Sequence, residues 1–402
     1  MSGMNQTPSG ERVHIAFFGR RNVGKSSLAN AFTGQSLAIV SDVRGTTTDP
    51  VSKSMELLPL GPVVVTDTPG IDDEGGLGAL RVRKTHEVLG RTDLAIVVAD
   101  ASAGLAGDEQ ALLAAIKEKG IPYILAWNKC DLLDAVPEAT AEALWVSARD
   151  GVNIGALRER AAHMAAGREN KRALIADLLR PGDGLVLVIP IDASAPKGRL
   201  ILPQQQVLRD ALEAGAVPVA CRPEELPGAL AMLSVPPRLV VTDSQAFAAV
   251  SRMVPENIRL TSFSILMARY KGSLPVAVAG AAAVGALRSG DRVLIAEGCT
   301  HHRQCEDIGT VKLPRWIRQY TGVEPAFCFT SGTEFPQDLS GVRLVVHCGG
   351  CMLNEREMGR RLDIAKAQGV PMTNYGILIA FLNGILKRAL EPFPDLYELL
   401  SR

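Results

Sequence analysis

Charge of one sign is what this chain most plainly lacks: Lys and Arg number 43 together, Asp and Glu number 43, and the formal net charge is zero. Without a net field, nothing in the composition draws it to a phosphate backbone or an anionic bilayer. Aromatic residues make up only 4% and do not interleave with basic runs, which excludes the patch that nucleic-acid binding needs. No apolar run reaches membrane-spanning length, since Leu185 to Ile191 and Ala277 to Leu287 are short and interrupted. A charged-then-apolar leader is also missing, and seven cysteines in 402 residues are too few for a secreted disulfide scaffold. The expectation is a soluble protein of the reducing cytoplasm, with neither nucleic acid nor membrane among its partners.

A chain of 402 residues exceeds one ordinary core and fits two or three domains. Composition and pattern shifts place the expected boundaries at 1–168, 169–269 and 270–402. The expected fold class is α/β, with a P-loop GTPase domain followed by two smaller α/β domains.

The first block alternates strands with helices. Val13 to Phe18 is a short apolar run that ends in Gly19-Arg20-Arg21-Asn22-Val23-Gly24-Lys25-Ser26, and Ser27-Leu28-Ala29-Asn30-Ala31-Phe32 continues as a helix. This is a P-loop in its required strand-loop-helix context. The segment from Asn22 to Ser27 wraps phosphates with backbone N–H groups at a helix N-terminus, Lys25 reaches the outer phosphates, and Ser26 binds Mg2+.

Further motifs select the nucleotide. Val63-Val64-Val65-Thr66-Asp67-Thr68-Pro69-Gly70 is a buried strand ending in an Asp suited to the second shell of Mg2+, with the Gly70 N–H free to meet a γ-phosphate. Ala126-Trp127-Asn128-Lys129-Cys130-Asp131 ends another strand in NKxD. The Asp131 carboxylate accepts both the N1–H and the 2-amino group of guanine, a pair that adenine does not offer, so GTP is favoured over ATP. Ser147-Ala148-Arg149 resembles the SAK segment, whose backbone meets the guanine oxygen, and the change of Lys to Arg149 matters little if the backbone makes that contact. Gly45-Thr46-Thr47-Thr48-Asp49 supplies switch threonines, of which Thr47 is assigned to Mg2+.

Together these motifs resemble the Era, Der and MnmE group of GTPases over roughly residues 11–168. The resemblance implies that Asn22, with Ser41 and Thr46, holds a K+ ion that takes the place of an arginine finger. A loop-capping role is the plainer reading of Asn22. Ile71 stands where a catalytic glutamine would follow Gly70, so slow intrinsic hydrolysis is expected.

The second block reads as a small α/β interaction domain, for homodimer formation, with no clustered titratable groups. Cys221 there reads as a core residue. In the third block, Asp291 to Gly298 leads a strand into Cys299-Thr300-His301, and Val342 to Val346 leads another into His347-Cys348-Gly349-Gly350-Cys351, with 45 residues between His301 and His347. If both strands lie in one parallel sheet, both ligand groups leave by the same edge, where open α/β sheets bind ligands. Cys351 is expected to start the following helix, Asn354 to Ala367, whose dipole favours an anionic thiolate. Three thiolates suit an iron-sulfur cluster with one iron left for a weaker ligand. A Cys3His zinc site that merely staples the domain is the plainer alternative. Cys130 and Cys328 read as structural.

The combination of CxH and HCxxC behind such a GTPase resembles the HydF family of FeFe-hydrogenase maturation GTPases over essentially the whole chain. That resemblance implies a carrier whose 4Fe-4S cluster is held by Cys299, Cys348 and Cys351, with Glu306, His301 or His347 as the fourth ligand. It also implies a transient diiron cluster precursor, with radical-SAM hydrogenase maturases and the hydrogenase apoprotein as partners. Cys305 beside Glu306 departs from the pattern and would close the site if it ligated. The competing readings are a ribosome- or tRNA-directed GTPase with a zinc-stabilised C-terminal domain, and a nucleotide-gated dimerisation switch with a structural metal.

Overall fold

The computed structural model describes residues 9–34, 50–71, 84–166, 172–191, 200–298, 307–332 and 334–399. The chain divides into two compact units, Met1–Lys171 and Arg172–Arg402. Both are α/β, as the alternation of apolar runs and amphipathic segments implies.

The first unit is built on six strands: β1 (Val13–Phe18), β2 (Val51–Leu57), β3 (Gly61–Asp67), β4 (Leu94–Asp100), β5 (Tyr123–Asn128) and β6 (Ala143–Trp145). Their order in the sheet is β2-β3-β1-β4-β5-β6. β2 runs antiparallel to β3, and the remaining pairings are parallel. Parallel strands buried on both faces read as near-continuous apolar sequence, and β1 and β4 show it. Ile15, Phe17, Leu94, Ile96 and Val98 pack into one core with helices Lys25–Thr33 and Ile154–Ala166. Ala16, Phe18, Ala95 and Val97 pack into a second core with helix Gly107–Glu118 on the opposite face.

The second unit holds two four-stranded parallel sheets. One comprises β7 (Gly184–Val188), β8 (Val217–Cys221), β9 (Leu239–Thr242) and β10 (Arg259–Ser262), in the order β10-β9-β7-β8. The other comprises β11 (Arg292–Ala296), β12 (Ala326–Thr330), β13 (Val342–His347) and β14 (Met372–Asn374), in the order β12-β11-β13-β14. Side chains of helix Tyr375–Leu382 and of the segment after it, including Ile377, Ala380, Leu386 and Phe393, enter the core of the first of these sheets. The two sheets therefore share packing within one unit.

In the second sheet of this unit, β11 pairs directly with β13, in parallel, with Ala296 opposite His347. Strand order reverses at that pair, because β12 continues outward from β11 and β14 outward from β13. The seam between β11 and β13 is thus a topological switch point, the place in an open parallel sheet where two successive loops diverge and leave a crevice.

Among the described residues no helix is long and apolar enough to cross a membrane.

Candidate functional site

The P-loop follows β1 and enters helix Lys25–Thr33 through Gly24. Gly24 has φ 87°, and a Cβ there would stand 2.3 Å from Asn128 Nδ2, so the position admits only glycine. The approach is close because Asn128 Nδ2 donates to the Val23 carbonyl at 2.8 Å, while its Oδ1 accepts the Ala148 N–H at 3.0 Å. One buried side chain thereby ties the P-loop, the NKxD strand and the Ser147-Ala148 segment together. Lys129, with φ 65°, donates from Nζ to Asp100 Oδ2 at 2.6 Å. Ser147 is buried and accepts the Asp150 N–H at 3.1 Å.

At the phosphate end, Lys25 Nζ donates to the Arg20 carbonyl at 2.6 Å. Ser26 Oγ donates to Asp67 Oδ2 at 2.6 Å, and Thr68 Oγ1 donates to the Phe17 carbonyl at 2.7 Å. Asp67 is fully buried, and its Oδ1 has no hydrogen-bond partner. Burial pushes the Asp67 carboxyl above its ordinary range, with the Ser26 hydroxyl and the Lys25 charge opposing the rise. A buried carboxylate with an orphaned oxygen, joined to the P-loop serine, fits the outer shell of a Mg2+ ion bound through Ser26. Ile71 packs against the core of the Phe18 face, so no polar side chain there orients a water.

Asn22 is exposed and left-handed, φ 61°, a conformation that Asn tolerates better than most residues. Gly70 is buried at the end of the Asp67 segment, and Ser27 lies in the first turn of the P-loop helix. Ser41, Thr46 and Thr47 lie outside the described residues. Asp131, read as the guanine acceptor, makes an ion pair with Arg149 NH2 at 3.0 Å.

The second site lies at the switch point of the β11–β13 sheet. Cys348 follows β13 directly, and its Sγ accepts the Gly298 N–H at 3.0 Å and the Gly350 N–H at 3.4 Å. Gly298 is the residue before Cys299, so the two cysteine segments meet across the seam. Cys299, His301 and Glu306, with His302 and Cys305, fall outside the described residues. Among the described residues no three His, Cys, Asp or Glu gather as a metal site. The donor chemistry of Cys348 nevertheless fits a cluster ligand: a sulfur accepting two backbone N–H groups is arranged to carry thiolate charge. Burial pushes the Cys348 thiol up, and the two N–H groups oppose that rise. A metal-bound sulfur would escape it, since coordination removes the proton.

Cys351 sits half-buried in a turn rather than at the start of a helix. The helix runs Glu355–Ala367, and Asn354 Oδ1 caps it by accepting the Glu357 N–H at 3.0 Å. A side chain that caps so well fixes the helix start at Asn354, leaving Cys351 in the preceding loop and removing the dipole argument for its thiol. Gly350 in that loop has φ 61°, and a Cβ there would meet Met358 Cε at 2.4 Å. Lys271 Nζ, nearly buried, donates to the carbonyls of Gly350 and, at 2.6 Å, Leu353. The loop is thus held by a lysine that follows helix Phe263–Tyr270.

His347 was read from sequence as a candidate fourth ligand, and the structure gives its ring another task. Arg361 NH1 lies 2.9 Å from Nε2, and a guanidinium only donates, so Nε2 accepts. Nδ1 then carries the proton and donates to the Cys348 carbonyl at 2.7 Å. Burial, then the charge of Arg361, pushes this imidazole down to about 3, so it stays neutral. Both nitrogens are engaged, and the ring buttresses the cysteine loop. Arg361 is itself fully buried, bonded to Glu357 Oε1 at 2.8 Å and to the Gly332 carbonyl at 2.9 Å, over the Phe335 ring.

Lys271, Arg361 and Glu357 were not singled out from sequence. Glu357 and Arg361 are spaced like an ordinary exposed helix pair, and Lys271 stands before a turn glycine; only burial distinguishes them. Cys328 Sγ lies 3.6 Å from the Val293 carbonyl, Cys130 is buried after the NKxD strand, and Cys221 packs against the core of the β7 sheet.

Three family models match the chain. The "50S ribosome-binding GTPase" model matches residues 14–129, the "Hydrogen maturase F dimerization domain" 174–272, and the "Hydrogen maturase F tetramerization domain" 275–392. The last of these covers both described cysteines of the second site. The tRNA modification GTPase MnmE of Nitrosospira multiformis is 32% identical over 156 residues, 37% of this chain and 34% of the relative. That of Ralstonia nicotianae is 35% identical over 160 residues, 37% of this chain and 34% of the relative. The chain thus spans about a third of the length of the curated relatives it matches. A solved structure of Aquifex aeolicus Era bound to GDP and AlF4− overlaps 60% of this chain and 97% of its own, at TM-score 0.36 and 20% identity.

Proposed function

Because the chain belongs to the hydrogen maturase F family and carries a P-loop GTPase domain, we propose that it is a GTP-hydrolysing scaffold and carrier in FeFe-hydrogenase maturation. Its cargo is the diiron precursor of the hydrogenase active site. It works in the reducing cytoplasm as an oligomer of its own chain, receiving the precursor from radical-SAM maturases and passing it to the hydrogenase apoprotein. The observation that carries this reading is the Cys348 sulfur, which accepts the Gly298 N–H at the switch point. That contact supports bringing Cys299 into reach of Cys348 and Cys351.

When bound by these three thiolates, a 4Fe-4S cluster supplies one iron with an exchangeable position. Glu306 and His301 are the fourth-ligand candidates that remain, since the His347 ring is occupied by Arg361 and the Cys348 carbonyl. A carboxylate or imidazole binds iron less firmly than thiolate, and lability suits a position that must accept and release cargo. Lys271 and His347 hold the cysteine loop in shape while that exchange occurs.

In the GTPase domain, Ser26 and Thr47 hold Mg2+, with Asp67 behind them. Lys25 leaves the Arg20 carbonyl for the phosphates. Asn22, Ser41 and Thr46 provide for K+. K+ and the switch loop would carry the transition-state charge that an arginine finger otherwise carries, and Ile71, turned to the core, offers no side chain to orient the attacking water. Asp131 selects guanine.

The test is transfer. Chain loaded by the maturases, re-isolated and mixed with hydrogenase apoprotein, is expected to restore hydrogen evolution. The Cys348→Ala chain treated identically is expected to restore none, and equal activation by both would remove the carrier role.

A further inference from the structure

One oxygen of the guanine acceptor is engaged by a neighbouring guanidinium. Arg149 NH2 lies 3.0 Å from Asp131 Oδ2. The same guanidinium grips Asp150, Nε to Oδ1 at 3.0 Å and NH2 to Oδ2 at 3.2 Å. Asp131 is mostly buried, with 11% of its side chain exposed, whereas Arg149 is 70% exposed. The backbone around Arg149 is fixed, because Ala148 N–H is bound by Asn128 and the Asp150 N–H by Ser147 Oγ. Only the arginine side chain is therefore free to move.

Guanine needs both oxygens of the Asp131 carboxylate, one for N1–H and one for the 2-amino group. A guanidinium on Oδ2 competes for one of them. We propose that Arg149 is a specificity-determining residue of the guanine site: it holds the Asp131 carboxylate while the site is empty, and the base displaces it onto Asp150. This rests on the GTPase reading of the same site. Asp150, already bonded to the same guanidinium, keeps the arginine partnered after it leaves Asp131, which limits the cost of the displacement. The arrangement also keeps the negative charge of Asp131 covered, and it weighs more on a base that must engage both oxygens than on one that engages a single oxygen.

The pair is solvent-touched on the arginine side, so its strength is that of a surface ion pair, and its removal changes affinity by about two- to five-fold. The experiment is titration of wild type, Arg149→Ala, Arg149→Lys and Asp150→Ala with fluorescent GDP and with the inosine analogue, which lacks the 2-amino group. At low ionic strength Arg149→Ala is expected to bind GDP about two- to five-fold more tightly than wild type. Its gain for the inosine analogue is expected to be smaller, because one Asp131 oxygen then suffices. Arg149→Lys should fall between the two. Asp150→Ala should bind GDP more weakly than wild type, since the arginine loses its alternative partner. Raising ionic strength with tetramethylammonium chloride at constant K+ should bring wild type and Arg149→Ala together. GDP binding by wild type, scored first, tests the GTPase reading by itself, and its absence would overturn both. Weaker GDP binding by Arg149→Ala, or equal salt-independent changes for both nucleotides, would overturn the competition and leave Arg149 a support for its loop.

Discussion

Gly298 donates its N–H to Cys348 Sγ at 3.0 Å, joining the exits of β11 and β13 at the point where strand order in their sheet reverses. Two segments 50 residues apart meet there, and the Cys348 N–H in turn donates to the Ala296 carbonyl at 2.8 Å. The register of Ala296 against His347 imposes the meeting, because the residues that follow each strand must leave side by side.

The nucleotide site makes the first prediction. With Lys25 proposed to carry phosphate charge and Asp131 base selection, Lys25→Ala should lower GTP turnover by at least about a hundred-fold, on the order of the loss when a preorganised charge-stabilising group is removed. Asp131→Asn should move preference from guanine to xanthine nucleotides. Steady-state phosphate release with GTP and XTP reads both, and unchanged GTP turnover in Lys25→Ala would contradict the assignment of the loop.

Asn22, left-handed and exposed in the P-loop, leads to the second. Replacing K+ by Na+ should slow hydrolysis while GTP affinity stays nearly constant, and Asn22→Ala should erase the difference between the two salts. Equal rates for wild type in both salts would return Asn22 to a loop-capping role.

Lys271→Met tests the support of the cysteine loop. The carbonyls of Gly350 and Leu353 would lose their buried donor, a cost of about 1–3 kcal/mol. Hydrogen exchange at 349–354 should speed accordingly, while exchange across β1 and β4 stays unchanged. Unaltered protection of the loop would show that Lys271 does not hold it.

Asp177 provides a pH test. Its bonds from Arg269 hold this carboxyl below its ordinary 3.8, with burial opposing. A depressed folded value means that the stabilisation is fully present above the unfolded value and is lost as pH falls through the folded one. The pair is partly exposed, so the stability of wild type over Asp177→Asn should be about 1 kcal/mol or less at pH 7. That advantage should vanish as pH falls from above the ordinary 3.8 to below the depressed folded value. Denaturant unfolding at stepped pH measures it, and an advantage that grows on acidification would contradict the sign.

Much of this was legible in the sequence because it is local. The P-loop, the Asp67 strand and NKxD are contiguous motifs, and the apolar runs before Cys299 and Cys348 read as strands because both faces are buried. What a linear pattern does not carry is which strands become neighbours, since the adjacency of β11 and β13 depends on how the helices between them pack. The task of His347 was hidden for the same reason: its partner Arg361 arrives from a helix face that looks like solvent-facing sequence. The change of Lys to Arg149 matters little in sequence if the backbone of its segment makes the base contact, yet the Arg149 side chain reaches Asp131.

Whether Cys299, Cys348 and Cys351 together hold an iron-sulfur cluster is tested by anaerobic reconstitution followed by iron, acid-labile sulfide and zinc analysis with EPR of the reduced protein. The account predicts about four irons and four sulfides per chain in the wild type with a 4Fe-4S signal. It predicts loss of that signal in each of Cys299→Ala, Cys348→Ala and Cys351→Ala, with GTP turnover retained in all three. An iron-free wild type filled with zinc, or a full cluster surviving in Cys351→Ala, would contradict it.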